Sequence, residues 1–214
     1  MEFNGFIYKQ VIGIPMGTIC GPFLANIFLH YYEQEYIEYM VQNEEWENLK
    51  CLSALFRYQE DCLVFEDNGV FGSIVSDIYP EEMEIECTNV SPCISTYLDL
   101  HVSIHKGKYH YKMFDKRKDF NIEVINYPFL PSNVPIQATY GVFVSQLIRL
   151  SQVNCNVHGL KKSVKELCKK FMNQGFCREK LIRRYESFIV RYANLWTVFG
   201  CDILSQKFIS DVFK

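Results

Sequence analysis

The sequence predicts an α+β fold that changes character part-way along: strands and helices alternate to about residue 126, and helices alone fill 127–214. Three observations carry this. Short β-branched and aromatic runs crowd the first part, apolar residues at helical spacing fill the second, and Pro128, Pro131 and Pro135 interrupt regular structure between them. With 214 residues, 49% of them hydrophobic and 22% charged, the chain has a folded protein's composition rather than a disordered one's.

Phe6 to Ile12, rich in β-branched and aromatic residues, reads as a strand, and Gly13, Pro15 and Gly17 then mark a loop. From Pro22 to Gln42 the apolar positions Phe23, Leu24, Ile27, Phe28, Tyr31, Ile37 and Met40 keep helical spacing, with Pro22 suited to the first turn. Glu44 to Asn48 reads as a polar connection. Two short runs, Leu55 to Tyr58 and Cys62 to Phe65, flank Gln59-Glu60-Asp61, which predicts a hairpin with two carboxylates at its tip. Val70 to Tyr79 predicts a helix stopped by Pro80.

Thr96 to Ile104 alternates, with Leu98, Leu100, Val102 and Ile104 on one face and Asp99, His101, Ser103 and His105 on the other. The alternation resumes at Tyr109 after Lys106-Gly107-Lys108, which predicts a second hairpin. Three helices are expected beyond the prolines: Tyr140 to Val153, Gly159 to Asn173 and Arg178 to Trp196. The second carries an apolar stripe of Leu160, Val164, Leu167, Cys168, Phe171 and Met172. The third carries one of Leu181, Ile182, Tyr185, Phe188, Ile189 and Tyr192.

No apolar run approaches the roughly 18 residues that span a bilayer. The first residues also lack a signal peptide's basic and apolar regions, so an intracellular chain without a membrane span is expected. Nine cysteines occur at irregular spacing without a Cys-x-x-Cys pair. That signals neither a disulfide framework nor a zinc site, and predicts reduced, mostly buried thiols.

The net charge of −3 hides a division. Residues 1–100 hold 3 Lys/Arg against 17 Asp/Glu, whereas residues 101–214 hold 19 against 8. A basic half suits a polyanion, and its cations fall on helices: Lys161, Lys162, Lys165, Lys169 and Lys170 opposite the stripe of one, Arg178, Lys180, Arg183, Arg184 and Arg191 on the next. Soluble amphipathic helices carry such faces too. An acidic pair such as Glu60-Asp61 is of the kind that holds magnesium, and is also ordinary turn chemistry.

Taken together, Gln10, Gly13, Pro15-Met16-Gly17 and Pro22, Leu24, Ala25, Asn26 resemble motif B of reverse transcriptases, and Arg57-Tyr58-Gln59-Glu60-Asp61 resembles their motif C. Four later segments are similar to the reverse transcriptases of Penelope-like retroelements, relatives of telomerase. They are Tyr97-Leu98-Asp99-Leu100, Phe114-Asp115-Lys116-Arg117, Tyr127 to Pro135, and Tyr140 to Arg149. The resemblance implies a partial right-hand polymerase palm, an antiparallel sheet with packed helices over 1–126, followed by an all-helical thumb over 127–214.

By the same resemblance Gln10, Gly13, Pro15, Met16 and Gly17 meet the nucleotide and template, and Glu60 and Asp61 hold catalytic Mg²⁺. The thumb cations Lys161, Lys162, Lys165, Lys169, Arg183 and Arg184 grip the backbone of an RNA template paired with a DNA primer. A dNTP would be the substrate.

Three departures qualify this implication. The family's motif A aspartate has no counterpart among these residues, so an upstream polymerase region is an implied partner. Glu60 stands where the family has aspartate, and Thr18 and Cys20-Gly21 replace the usual serines. The resemblance thus implies a fragment inactive alone; the alternative is a non-catalytic nucleic-acid-binding remnant acting through the basic helices.

Overall fold

The structure is a computed structural model that describes residues 2–9, 11, 13–14, 17–89, 91–120, 127–200, 203 and 205–213. The fold is α+β, and it divides into two compact units, Met1–Thr88 and Asn89–Lys214. The proline cluster predicts a division near 126. The three-stranded sheet that follows residue 89 instead belongs with the helices.

In the first unit, β1 (Glu2–Phe3) and β2 (Phe6–Ile7) form a small hairpin around Asn4 and Gly5. The strand expected over 6–12 therefore stops at Ile7; Ile12 lies outside the described residues. Helix α1 (Gly21–Gln42) has Pro22 in its first turn, where a missing N–H costs nothing. Helix α2 (Trp46–Ser53) occupies part of the expected polar connection. It begins beside Glu45, whose carboxylate accepts from Asn48 Nδ2 at 2.7 Å, and its Leu52 reaches the unit's core. Strands β3 (Leu55–Tyr58) and β4 (Asp61–Val64) follow, then α3 (Val70–Ile78), entered through Gly69 at φ +88°.

That core is small: Leu29, Ile74, Ile78 and Tyr79, with Tyr32, Tyr36 and Leu52 against it. The first half of helix α1 carries apolar residues on most of its sides, and only one side of it is covered. Phe23, Leu24, Ile27, Phe28 and Tyr31 remain exposed.

The second unit opens with an antiparallel meander of β5 (Ile94–Tyr97), β6 (Leu100–His105) and β7 (Lys108–Met113). The expected single strand from Thr96 to Ile104 is broken by a two-residue turn at Leu98-Asp99, with Leu98 at φ +52°. Lys106 and Gly107, both at positive φ, close β6–β7 as a tight turn. The alternation does not sort into buried and exposed faces here; Ile104, Tyr109 and Tyr111 are exposed.

Four helices build the core of this unit: α4 (Ile136–Val153), α5 (Val157–Asn173), α6 (Arg178–Arg191) and the short α8 (Gln206–Val212). Asn156 caps α5 by accepting from the Gly159 N–H at 2.8 Å, which starts the helix before the expected Gly159. The third expected helix, Arg178 to Trp196, divides at Tyr192 into α6 and α7 (Ala193–Trp196). The Trp196 indole donates back to the Ile189 carbonyl at 2.8 Å and satisfies one of the carbonyls that α6 leaves open at its end. Residues 127–135 lie on this core too: Tyr127 stacks near Phe171, and the Leu130 N–H donates to the Gln174 carbonyl.

Phe171 is fully buried and touches the rings of Tyr127, Phe143 and Phe176 at 4.8, 5.3 and 4.7 Å between centroids. The eight described cysteines are free, and only Cys168 among them is buried, its thiol pushed up to about 12 by desolvation. The expectation of mostly buried thiols fails because helix ends and hairpins, not core positions, carry most of them. Phe171→Ala is expected to destabilise the second unit by about 3–5 kcal/mol. Urea unfolding followed by Trp196 fluorescence in a Trp46→Phe background reads the loss.

Candidate nucleic-acid interface

Glu60 and Asp61 lie where the hairpin places them, in the turn of β3–β4 and at the first residue of β4, opposite Tyr58. Both are exposed, and Gln59 enters the turn at φ +54°. Beneath the turn runs a polar cluster. Arg57 donates to Glu33 on α1 through Nε at 2.5 Å and Nη2 at 3.1 Å, to Asn26 Oδ1 at 2.9 Å and to the Gln59 carbonyl at 3.4 Å. The Tyr79 hydroxyl donates to the same Glu33 carboxylate at 2.7 Å. The Arg57 and Glu33 side chains are only 12% and 14% exposed, so the pair is largely withdrawn from water. Burial, with the Glu33 carboxylate beside it, pushes the Tyr79 phenol far up, and burial raises the Cys62 thiol on the neighbouring strand. The arginine of the motif C-like segment thus ties the carboxylate turn to α1, which carries the Asn26 of the motif B-like segment.

This arrangement supplies two carboxylates and no more. Among the described residues no group of three His, Cys, Asp or Glu gathers to hold a metal ion. Magnesium takes an octahedral set of oxygens, so Glu60 and Asp61 do not by themselves make the paired-metal clamp of a nucleotidyl transferase. Of the glycine loop, Gly13 and Gly17 sit at φ +82° and +85°, a backbone that side-chain-bearing residues adopt with strain. Nothing would meet a Cβ at Gly17, so conformation rather than close approach explains that glycine. Gln10, Pro15 and Met16 lie outside the described residues.

The basic helices sort the thumb cations into two groups. Lys162, Lys165 and Lys169 are exposed along one face of α5, and Arg183 and Arg184 are exposed on α6. None of the five makes a close ion pair with a carboxylate among the described residues, although Arg183 lies near enough to Glu179, one turn earlier on α6, to help lower its carboxyl. Lys161 departs from the expected set: its Nζ bonds Asp211 Oδ2 on α8 at 2.8 Å and lies 5.7 Å from the Phe208 ring centroid. Lys170 likewise faces Asp115 at 3.5 Å. These two lysines fasten elements together.

Several motif residues hold one another. Asp115 accepts from Arg117 Nε at 2.6 Å, Nη2 at 3.1 Å and the Arg117 N–H at 3.3 Å, which caps the turn Lys116–Asp119. The Tyr127 hydroxyl donates to Gln146 on α4 at 3.3 Å, and Arg149 on α4 pairs with Asp99 in the β5–β6 turn. Segments 97–100, 114–117, 127–135 and 140–149 are therefore joined in space, as struts between sheet and helices. Compared with family models, curated proteins and solved structures, the chain matches none.

Glu33→Ala is expected to cost the first unit about 3–5 kcal/mol by leaving Arg57 uncompensated, whereas Glu33→Met with Arg57→Met costs far less. Hydrogen exchange of the β3–β4 amides distinguishes the two. The Arg117 guanidinium, helped by Lys170, holds the Asp115 carboxyl down at about 2 against an ordinary 3.8. A depressed carboxyl stabilises the fold above its unfolded pKa, and that contribution is lost as pH falls through the folded value. The stability advantage of the native chain over Asp115→Asn is thus expected to shrink from about pH 3.8 to 2, read by thermal unfolding.

Proposed function

We propose that this chain is the palm-and-thumb part of an RNA-directed DNA polymerase of the Penelope-like type, and that it grips the backbone of a template–primer duplex through α5 and α6. One observation carries the reading: five cations, Lys162, Lys165, Lys169, Arg183 and Arg184, face water on consecutive long helices without a close ion pair among the described residues, Arg183 alone having a carboxylate, Glu179, nearby. Such a face suits phosphates and reads no base. Residues 161–170 of α5 carry five lysines and one acid, so the helix concentrates like charge that a polyanion relieves.

Two further features support the polymerase part. The apolar face of α1 and the two-stranded β3–β4 sheet are suited to a further palm segment that would supply the missing carboxylate. Glu60 and Asp61 would then lend their carboxylates to Mg²⁺, which supplies the charge neutralisation at a transferring phosphoryl group. In the chain as it stands, the residues bind and orient a duplex and do not transfer a nucleotide.

The purified chain is expected to bind an RNA–DNA hybrid with an affinity that falls steeply with salt, and not to extend a primer in magnesium. Neutralising the five cations with glutamine should flatten the logarithmic salt slope by roughly 0.9 for each phosphate no longer neutralised. Fluorescence anisotropy at several salt concentrations reads it. Lys161→Gln should leave the slope nearly unchanged. Salt-insensitive binding, or equal effects of the two variants, contradicts the interface; primer extension abolished by Glu60→Ala contradicts the incomplete site.

A further inference from the structure

A groove of about 630 Å³ opens in the first unit between α1, α2 and α3. Its floor includes the buried Ile74, its wall is Tyr36 and Tyr39 from α1, and its rim carries Glu35, Glu45 and Asp77. The volume lies within the roughly 300–1,000 Å³ of ligand clefts. No Lys or Arg lines it. The Tyr36 and Tyr39 rings lie near parallel, 5.9 Å between centroids and 26° apart, and Tyr39 is 52% exposed.

The carboxylates are differently placed. Glu35 accepts from the Tyr31 hydroxyl at 2.5 Å and Glu45 from Asn48 Nδ2 at 2.7 Å, whereas Asp77 has no partner among the described residues. Asp77 also sits in the last turn of α3, where the carbonyl ends of the helix already concentrate negative charge. The position is unfavourable for the isolated unit. Burial, and then the charges of Asp77 and Glu45, raise the Tyr36 phenol, which places both carboxylates electrically beside that ring.

We propose that this groove docks an arginine-bearing basic peptide, one guanidinium stacking on the Tyr36–Tyr39 rings while its N–H groups meet Asp77 and Glu35. The chemistry selects the occupant. An apolar segment would strip water from three carboxylates without compensation, and a nucleic acid would be repelled. A planar guanidinium satisfies aromatic faces and carboxylates together, and does so better than a compact ammonium. The first unit cannot supply that cation itself. Its basic residues are Lys9, Lys50 and Arg57, and Arg57 is held by Glu33.

The test uses the full chain with fluorescein-labelled hexa-arginine and hexa-lysine peptides, followed by anisotropy. Hexa-arginine is expected to bind at least about fivefold tighter than hexa-lysine. Asp77→Asn with Glu35→Gln should weaken it by about tenfold, as should Tyr39→Ala. Asp77→Asn removes an unfavourable charge and keeps the fold, so that single variant serves where the others unfold. The off-groove variant Glu81→Gln/Glu82→Gln/Glu84→Gln controls for net charge and should change binding by less than about twofold. Equal losses from groove and off-groove variants, absence of an arginine preference, or no saturable binding would overturn the proposal.

Discussion

Burial of Leu160, Val164, Leu167, Cys168 and Phe171 along one side of α5 decides where the lysines of that helix point. A helix turns 100° per residue, so once that stripe is packed against α4 and α8, positions 162, 165 and 169 have nowhere to go but into water. Lys161 and Lys170, at the stripe's margins, reach sideways to Asp211 and Asp115 instead. Like charges three and four residues apart oppose helix formation, and the packing of Phe171 among Tyr127, Phe143 and Phe176 is what outweighs that opposition. The basic face is therefore a consequence of the core, held in place whether or not a polyanion is present.

The first unit has the opposite problem. Its core is a few residues deep, and the hairpin bearing Glu60 and Asp61 is tied to α1 by the Arg57–Glu33 pair rather than by apolar burial. A largely desolvated ion pair contributes little net stability but is costly to break, which favours geometry over strength. It holds the carboxylate turn in register with α1 while the helix leaves Phe23, Ile27 and Phe28 open on its other side. Acid and base are thus segregated between two units, one presenting carboxylates and aromatic rings, the other lysines and arginines.

Much of this was legible in the residues. The stripe and its lysines on α5, the β3–β4 hairpin with its acidic turn, and the Val70–Ile78 helix before Pro80 were all written in apolar spacing and turn chemistry. Other features were settled by tertiary packing. Leu98 at positive φ broke a strand that alternation alone would have continued, because β5 turns back on β6 there. Trp196 folding back on Ile189 broke the last long helix, and α8 gives almost no periodic signal in seven residues. That Lys161 binds Asp211, fifty residues away, could not be read from spacing; nor could the joining of Asp99 to Arg149 and of Tyr127 to Gln146.

The most direct test of the central claim is a lysine-acylation footprint, read by mass spectrometry with and without an RNA–DNA hybrid duplex. Lys162, Lys165 and Lys169 are predicted to be protected by the duplex, while Lys50 in the first unit and Lys112 on β7 stay as reactive as before. Protection spread evenly over all these lysines, or absent from the α5 face, would contradict a duplex held by the outward side of that helix.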